Sequence, residues 1–344
     1  MQGGSGSVTI HEVAEKAGVS IKTVSRVINH EANVRADTKE RVLAVIAELN
    51  YRPNPSARHL AGTHGYNIAL LYDNPSPSYL IDLQRGALES CQAEGFHLIL
   101  QPAGFHDANL EAAIDNLIVE SRVPGLILSP PLSDAGALIE KLESWGVLHA
   151  RIAPIDIGRP GPYVAVDDRG AAFELISHLI ELGHRRIAII KGHPDHGAGH
   201  WRYEGYLTAM KQFGLPVDEN LIVQGYFSFE SGIEAGRKLL ALKDRPTAIF
   251  AANDDMAAAV LHVAHDMAID VPGQLSVAGF DDTPLSRHVW PSLTTVRQPV
   301  QEMARQATMQ LIDRIRKRSQ GQTAGPSAMY CSLVIRDSTG RAPA

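Results

Sequence analysis

From Tyr66 onward, short continuous apolar runs alternate with amphipathic stretches, and this alternation constrains the fold more than any other feature of the chain. The runs NIALLY, HLILQ, GLILS, RIAIIKG, TAIFAA and LSVAGF read as buried parallel strands, because a strand covered on both faces is apolar throughout rather than at every second position. Between them, LIDLQRGALESCQAEG, DDRGAAFELISHLIELG and NDDMAAAVLHVAHDMAI read as helices. Such alternation implies doubly wound α/β units. The series is long enough for two lobes, with a break around residues 154–168, PIDIGRPGPYVAVDD. No GxGxxG follows the first strand, which argues against a dinucleotide site.

A chain of 344 residues exceeds the roughly 250 to 300 at which single cores stop growing, so it has room for a further small unit. Composition is that of an ordinary globular protein, with 44% hydrophobic and 20% charged residues. The two cysteines, Cys91 and Cys331, lie far apart and suggest neither a disulfide framework nor a zinc site. No apolar run reaches the roughly 18 residues of a spanning helix. The start, MQGGSGS, lacks the regions of a signal peptide, so a cytoplasmic location is expected. Charge is uneven. Residues 1–64 carry eight Lys and Arg against six Asp and Glu, and the remainder carries 24 against 32, a polarity that suits one end meeting a polyanion.

The N-terminal end supplies the small unit. Thr9 followed by Glu12 is a capping box that starts a helix at Ile10, burying Val13, Ala14 and Ala17. Gly18 provides a left-handed turn. Ser20 caps a second helix whose Val24, Val27 and Ile28 share one face. Its other face carries Ile21, Lys22, Ser25, Arg26 and Asn29. A third helix near 36–49, with Val42, Val45, Ile46 and Leu49 inward, closes the cluster. Arg35, just before this helix, is not a capping residue, so either Asp37 caps a later start or the cap is lost. Two helices joined by a glycine turn, the second projecting polar and small residues, make a helix-turn-helix for the major groove. Downstream, YRPNPSARHLAG over 51–62 offers Asn54 as N-cap, Pro55 at the first helical position and Gly62 as stop. About two turns of helix are marginal in water, so this segment should need a minor groove and a second copy to order it, with Leu60 wedged between base steps.

The runs TIHEVAEKAGVSIKTVSRVIN and NYRPNPSARHLAG together resemble the DNA-binding head and hinge of the lactose-repressor (LacI/GalR) family of bacterial transcription regulators. The resemblance implies that Ile21, Lys22 and Arg26 read bases. It implies that Thr9, Ser20, Thr23, Ser25, Asn29, Tyr51 and Asn54 hold phosphates or support those that do, and that Leu60 intercalates with Ala57 nearby. It also implies a pseudo-palindromic double-stranded operator and a homodimer, since no leucine heptad follows the last helix to build a tetramer. The expected fold is a small all-α helix-turn-helix head plus an α/β periplasmic-binding-protein-like core of two doubly wound parallel-sheet lobes. The boundaries are 1–7 flexible tail, 8–52 helix-turn-helix domain, 53–64 hinge helix and linker, and 65–344 effector-binding and dimerisation core. Lobe 1 takes about 65–165 and 297–325, and lobe 2 about 166–296 and 326–340.

In open α/β sheets ligands bind beyond the carboxyl ends of strands, which directs attention to the residues just after each run. By the family's motifs, Arg202, Asn253 and Asp281 are the expected hydrogen-bond partners of an effector and Phe227 its stacking ring. Asp73, Tyr79, Ser129 and Asp156 carry over from the first lobe, and Trp290 is a cleft or core residue. Carboxylates, an amide and a guanidinium around an aromatic suit a polyhydroxylated ligand, so a neutral sugar is the expected effector. Purines are the alternative within the family. Three other readings compete. Asp254, Asp255, Asp281 and Asp282 could supply a glycosidase's paired carboxylates, but adjacent carboxylates point different ways and the head would then lack a purpose. His193, His196 and His200 lack the spacing of metal ligands. A transport component would need a signal peptide. No catalytic residue, metal or cofactor is expected.

Overall fold

The computed structural model describes residues 8–28, 34–51, 66–317 and 327–343. The 1–7 tail, the 53–64 hinge, and the contacts assigned to Asn29, Asn54, Ala57 and Leu60 lie outside the described residues. The chain divides into two units, residues 1–65 and 66–344.

The first unit contains α1 (Ile10–Ala17), α2 (Ile21–Ile28) and α3 (Ala36–Glu48). The capping box at its start is complete: Thr9 N donates to Glu12 Oε2 at 2.7 Å, and Glu12 N donates to Thr9 Oγ1 at 3.4 Å. Gly18 adopts φ 63° and ends α1, a conformation that favours glycine. Val13, Ala14, Ala17, Val24, Val27, Val42, Val45 and Tyr51 form the core, with Ile28, Ile46 and Leu49 packed at its margin. Arg35 occupies the N-cap of α3 and makes no side-chain capping bond, so of the two outcomes open at this position the cap is the one lost. Arg41 Nε instead ties α3 to α1 by donating to the Ala17 carbonyl at 3.1 Å.

The second unit has two parallel sheets. Lobe 1 contains β1 (Asn67–Tyr72), β2 (His97–Pro102), β3 (Gly125–Leu128), β4 (Leu148–Ile152), β5 (Tyr163–Val166) and β11 (Ser327–Met329), in the order β11-β5-β4-β3-β1-β2. Alternate residues of β1 feed opposite faces. Ile68 and Leu70 join the cluster under α4 (Pro77–Ala93) and α12 (Val300–Lys317), whereas Ala69 and Leu71 join the one under α5 (Leu110–Ser121) and α6 (Gly136–Ser144). The α4 and α12 backbones meet at Gly86, where a Cβ would lie 2.0 Å from the Gln301 carbonyl oxygen, so this approach requires glycine.

Lobe 2 contains β6 (Ile187–Lys191), β7 (Ile222–Gln224), β8 (Ala248–Ala251) and β9 (Ser276–Ala278), in the order β7-β6-β8-β9. Isolated bridges at Ala278–Thr294 and Asp281–Arg297 extend it towards β10 (Thr295–Arg297), which pairs antiparallel with β12 (Ser332–Val334). Its helices are α7 (Asp168–Glu181), α8 (Gly197–Gln212), α9 (Phe229–Leu240), α10 (Asp254–Asp266) and the short α11 (Leu285–His288).

Among the described residues the chain passes between lobes after β5, after β10 and between β11 and β12. The run AMYCSLVIRDS, whose composition reads as a single strand, therefore supplies two: Ser327–Met329 pairs with β5 and Ser332–Val334 with β10. This moves the lobe boundary from 326 to beyond Met329, because a turn between sheets has the same apolar composition as a continuous strand. HLILQ also departs from expectation. As β2 it is an edge strand with Leu100 42% exposed, and an edge strand lacks the covering on one side that a central strand has.

Candidate functional site

Two surfaces carry the candidate chemistry, one in each unit. On the head, α2 turns Val24 and Val27 inward and leaves Ile21 and Lys22 exposed, with Thr23, Ser25 and Arg26 partly buried. At its start Thr23 N donates to Ser20 Oγ at 3.2 Å, and the two hydroxyls lie 2.9 Å apart. This places small donors beside the helix N-terminus, where the backbone dipole favours an anion. Thr9 is exposed at the start of α1. Tyr51 is not: at 9% exposure its ring belongs to the head core, and burial raises its phenol pKa.

Between the lobes of the second unit lies a small cavity of about 30 Å³, lined by Tyr79, Asp168, His196, Arg202, Phe227, Asn253, Asp281 and Gln298 among others. Arg202, from the second turn of α8, is its organising cation. Nε donates to Asp168 Oδ1 at 2.8 Å, Nη1 donates to the Ala252 carbonyl at 2.5 Å, and Nη2 lies 3.4 Å from Asp281 Oδ1. The guanidinium carbon sits 3.6 Å from the centre of the Phe280 ring and 5.8 Å from that of Phe227. Burial alone would depress the Arg202 pKa, yet Asp168 and Asp281 outweigh it and raise the value. Burial pushes both partner carboxyls up, opposed by Arg202.

Local backbone positions the other groups. Asn253 caps α10, accepting from Met256 N at 3.0 Å, while its Nδ2 donates to the Phe227 carbonyl at 2.9 Å. The capping and cleft roles thus coexist in one side chain. Phe227 has φ 60° and packs so tightly on Gly192 that a Cβ there would fall 2.1 Å from its ring. Asp281 has φ 109°, which aims Oδ1 at Arg202 without a directed hydrogen bond. His196 is 4% exposed, and burial lowers its pKa to about 4, with His193 adding to the effect. It is neutral at pH 7.

The lobes also touch around the cavity. Ser76 Oγ donates to Asp255 Oδ2 at 2.6 Å, and His106 Nε2 lies 2.7 Å from Asp195 Oδ2. Ile155 fills the space where Gly197 would carry a Cβ, with its Cγ1 2.1 Å away.

The structure brings Tyr79, Arg202, Phe227, Asn253 and Asp281 together. It leaves four expected residues elsewhere. Asp73 accepts from Phe105 N at 2.7 Å and supports the loop after β2. Ser129 is wholly buried and donates to the Leu71 carbonyl, tying β3 to β1. Asp156 is exposed and accepts from Gly158 N within its own turn. Trp290 is 91% exposed and belongs to neither cleft nor core. Each follows a strand or lies in a loop, but only some strand ends face the other lobe.

Ser76 and His196 also line the cavity, and so do Asp168 and Gln298, which were not singled out as effector contacts. Asp168 and Gln298 stand at two of the lobe crossings, and the first residue after a crossing is the signal that would have found them. Asp254, Asp255, Asp281 and Asp282 face four different sets of partners, respectively Thr283 with Thr295, Ser76, Arg202, and Arg297 with Arg336. They form no opposed pair. Among the described residues no group of three or more His, Cys, Asp or Glu side chains could hold a metal ion, and no helix is long and apolar enough to cross a membrane.

Comparison with known proteins follows the same division. Residues 9–54 match the family of bacterial regulatory proteins named lacI, and residues 176–339 match a periplasmic binding protein-like domain. Catabolite control protein A of Priestia megaterium is 36% identical over 299 residues, covering 86% of this chain and 89% of that protein. The HTH-type transcriptional repressor PurR of Pectobacterium carotovorum subsp. carotovorum (strain PC1) is 34% identical over 346 residues, covering 97% and 98%. The crystal structure of the Lac repressor dimer bound to operator and the anti-inducer ONPF aligns with a TM-score of 0.81 at 29% identity, over 97% of this chain and 100% of that one. The alignments with the PurR repressor and with the Lac repressor structure each cover 97% of this chain, head and core together. The chain belongs to the lacI family of bacterial DNA-binding transcription regulators.

Proposed function

We propose that this protein is a cytoplasmic repressor of carbohydrate-utilisation genes that binds a pseudo-palindromic operator as a homodimer and changes operator affinity when a neutral sugar binds between its lobes. The observation that carries the ligand class is the charge arrangement at Arg202. Its guanidinium is matched by two buried carboxylates, Asp168 and Asp281, and His196 is uncharged at neutral pH. A phosphate entering this cavity meets no cation free of a partner among the described lining residues, and burying an unpaired charge is costly. A sugar hydroxyl donates to Asp281 Oδ1, which accepts no directed hydrogen bond from protein, while Phe227 and Tyr79 offer apolar surface to a sugar face.

The cavity, at about 30 Å³, is far below the 300 Å³ or more of common ligand pockets. Sugar binding therefore requires the lobes to separate along the Ser76–Asp255, His106–Asp195 and Ile155–Gly197 contacts. That motion is the conformational change available to bias DNA binding. A thermal-shift screen with D-glucose, D-galactose, D-ribose, cellobiose, glucose 6-phosphate, adenine and hypoxanthine tests the reading. A neutral sugar should stabilise the core by about 2.7 kcal/mol at a hundred times its Kd. Stabilisation only by the phosphate or by a nucleobase contradicts it.

A further inference from the structure

The turn that presents Asp281 is under backbone strain and is held by a residue that never reaches the cavity. Asp281 and Asp282 both have positive φ, 109° and 55°, and two consecutive non-glycine residues in this region persist only where their surroundings over-determine them. On the inner side of the turn, Asp254 is fully buried at the first position of α10. Its Oδ2 accepts from Thr283 N at 2.7 Å and Thr283 Oγ1 at 3.0 Å, and its Oδ1 accepts from Thr295 Oγ1 at 2.6 Å. Gly279 completes the fit, since a Cβ there would lie 2.5 Å from Asp254 Oδ1. On the outer side, Asp282 pairs with Arg297 and Arg336.

We propose that Asp254 is a positioning residue for the ligand site, holding the Phe280–Thr283 turn through Thr283 so that Asp281 Oδ1 enters the cavity as an acceptor reserved for ligand. The assignment of Asp281 to a ligand rests on the function proposed above, whereas the hold on the turn does not.

The neighbouring charges give this hold a pH signature. Asp282 on the turn faces Asp254, Asp281 beyond it is in turn faced by Arg202 from α8, and Thr295 on β10 contributes only a hydroxyl. Burial outweighs the three hydrogen bonds and moves Asp254 up to about 7. The closed turn therefore keeps on Asp254 a proton that an opened, solvated turn gives up, so the hold weakens as pH rises towards neutrality.

Hydrogen–deuterium exchange by mass spectrometry on the full chain tests the proposal. In Asp254→Asn, exchange in Phe280–Thr283 should rise about tenfold or more while β6 and β8 are unchanged. In the native protein the same peptide, corrected for intrinsic rates, should lose protection as pH rises from about 5 to about 7, because the closed turn keeps on Asp254 a proton that the opened turn releases, and the variant should lose that step. Thr283→Val, which removes one hydroxyl and keeps the amide, should give a smaller rise confined to the turn, and it decides the matter if Asp254→Asn fails to fold. Unchanged exchange in the turn, or an equal rise in β6 and β8, overturns the proposal. Titration of D-galactose, D-ribose and cellobiose separates the two readings: if none binds the native chain, the ligand class is wrong while the exchange result still stands.

Discussion

Arg202 Nε donates to Asp168 Oδ1 at 2.8 Å with both side chains at least 95% buried, joining α8 to the first residue after the chain enters lobe 2. Asp281 approaches the same guanidinium from the turn after β9. Three segments far apart in sequence thus share one buried charge cluster, and its balance depends on a single cation.

Arg202→Ala should therefore destabilise the core by about 3–5 kcal/mol, the usual cost of breaking a buried pair from one side. The two stranded carboxyls, already raised by burial, should rise further and hold protons in the folded state. The folded state then binds more protons than the unfolded one above the unfolded carboxyl range, so the deficit should shrink as pH falls. Urea unfolding at pH 8 and pH 5 checks both the size and the sign.

At the head, Arg35 fills the N-cap of α3 without making a capping bond. Replacement of other residues by Ser at this position commonly gains stability where the backbone is already extended, as it is at φ −61°, ψ 144°. Arg35→Ser should stabilise the head by about 0.5–1 kcal/mol, read from its thermal unfolding. No change would mean that the first turn of α3 is satisfied in another way.

Much of this organisation was legible locally. The Thr9–Glu12 capping box, the Gly18 turn and the inward faces of α1 and α2 depend on neighbours within one or two turns, and the structure has them as expected. So do the central strands β1, β3, β6 and β8, whose apolar runs reflect burial on both faces. Asn253 and Asp281 could be picked out because they follow β8 and β9 and match the family's motifs, and Arg202, inside α8, by the motif alone. Asp168 and Gln298 could not, because their importance comes from where the chain crosses between lobes. Tyr163–Val166 and Ser327–Met329, which carry two of those crossings, are too short to announce themselves. Trp290 misled for a plain reason: a large aromatic is normally buried, and this one is not.

Gly197 marks a close approach of the lobes, with Ile155 Cγ1 where its Cβ would stand. Gly197→Ala should prop the cleft open, increasing the radius of gyration of the core in small-angle scattering. Adding Ile155→Ala should restore it. An increase that persists in the double variant would place the obstruction elsewhere.

His196 sets a pH limit. Its folded pKa is about 4 against 6.5 for the free side chain, chiefly because of burial, so as pH falls from about 6.5 to about 4 the unfolded state takes up a proton that the folded state refuses. Stability should fall across that window by up to about 3 kcal/mol. Asp254, raised to about 7, acts in the opposite sense between about 4 and 7, so the comparison must be between the native chain and His196→Gln. The difference in their unfolding free energies should vary with pH only in this window, and a constant difference would show that His196 does not titrate there.

The central claim is that a neutral sugar in the cavity changes the grip of the head on its operator. Fluorescence anisotropy with a selected operator duplex, at fixed salt because phosphate contacts make affinity salt-dependent, measures it directly. The account predicts that the sugar found by thermal shift changes operator affinity about fivefold or more, in the range of common allosteric couplings, and that Asp281→Asn abolishes the change while leaving sugar-free DNA binding intact. An operator affinity that is the same with and without saturating sugar would contradict it.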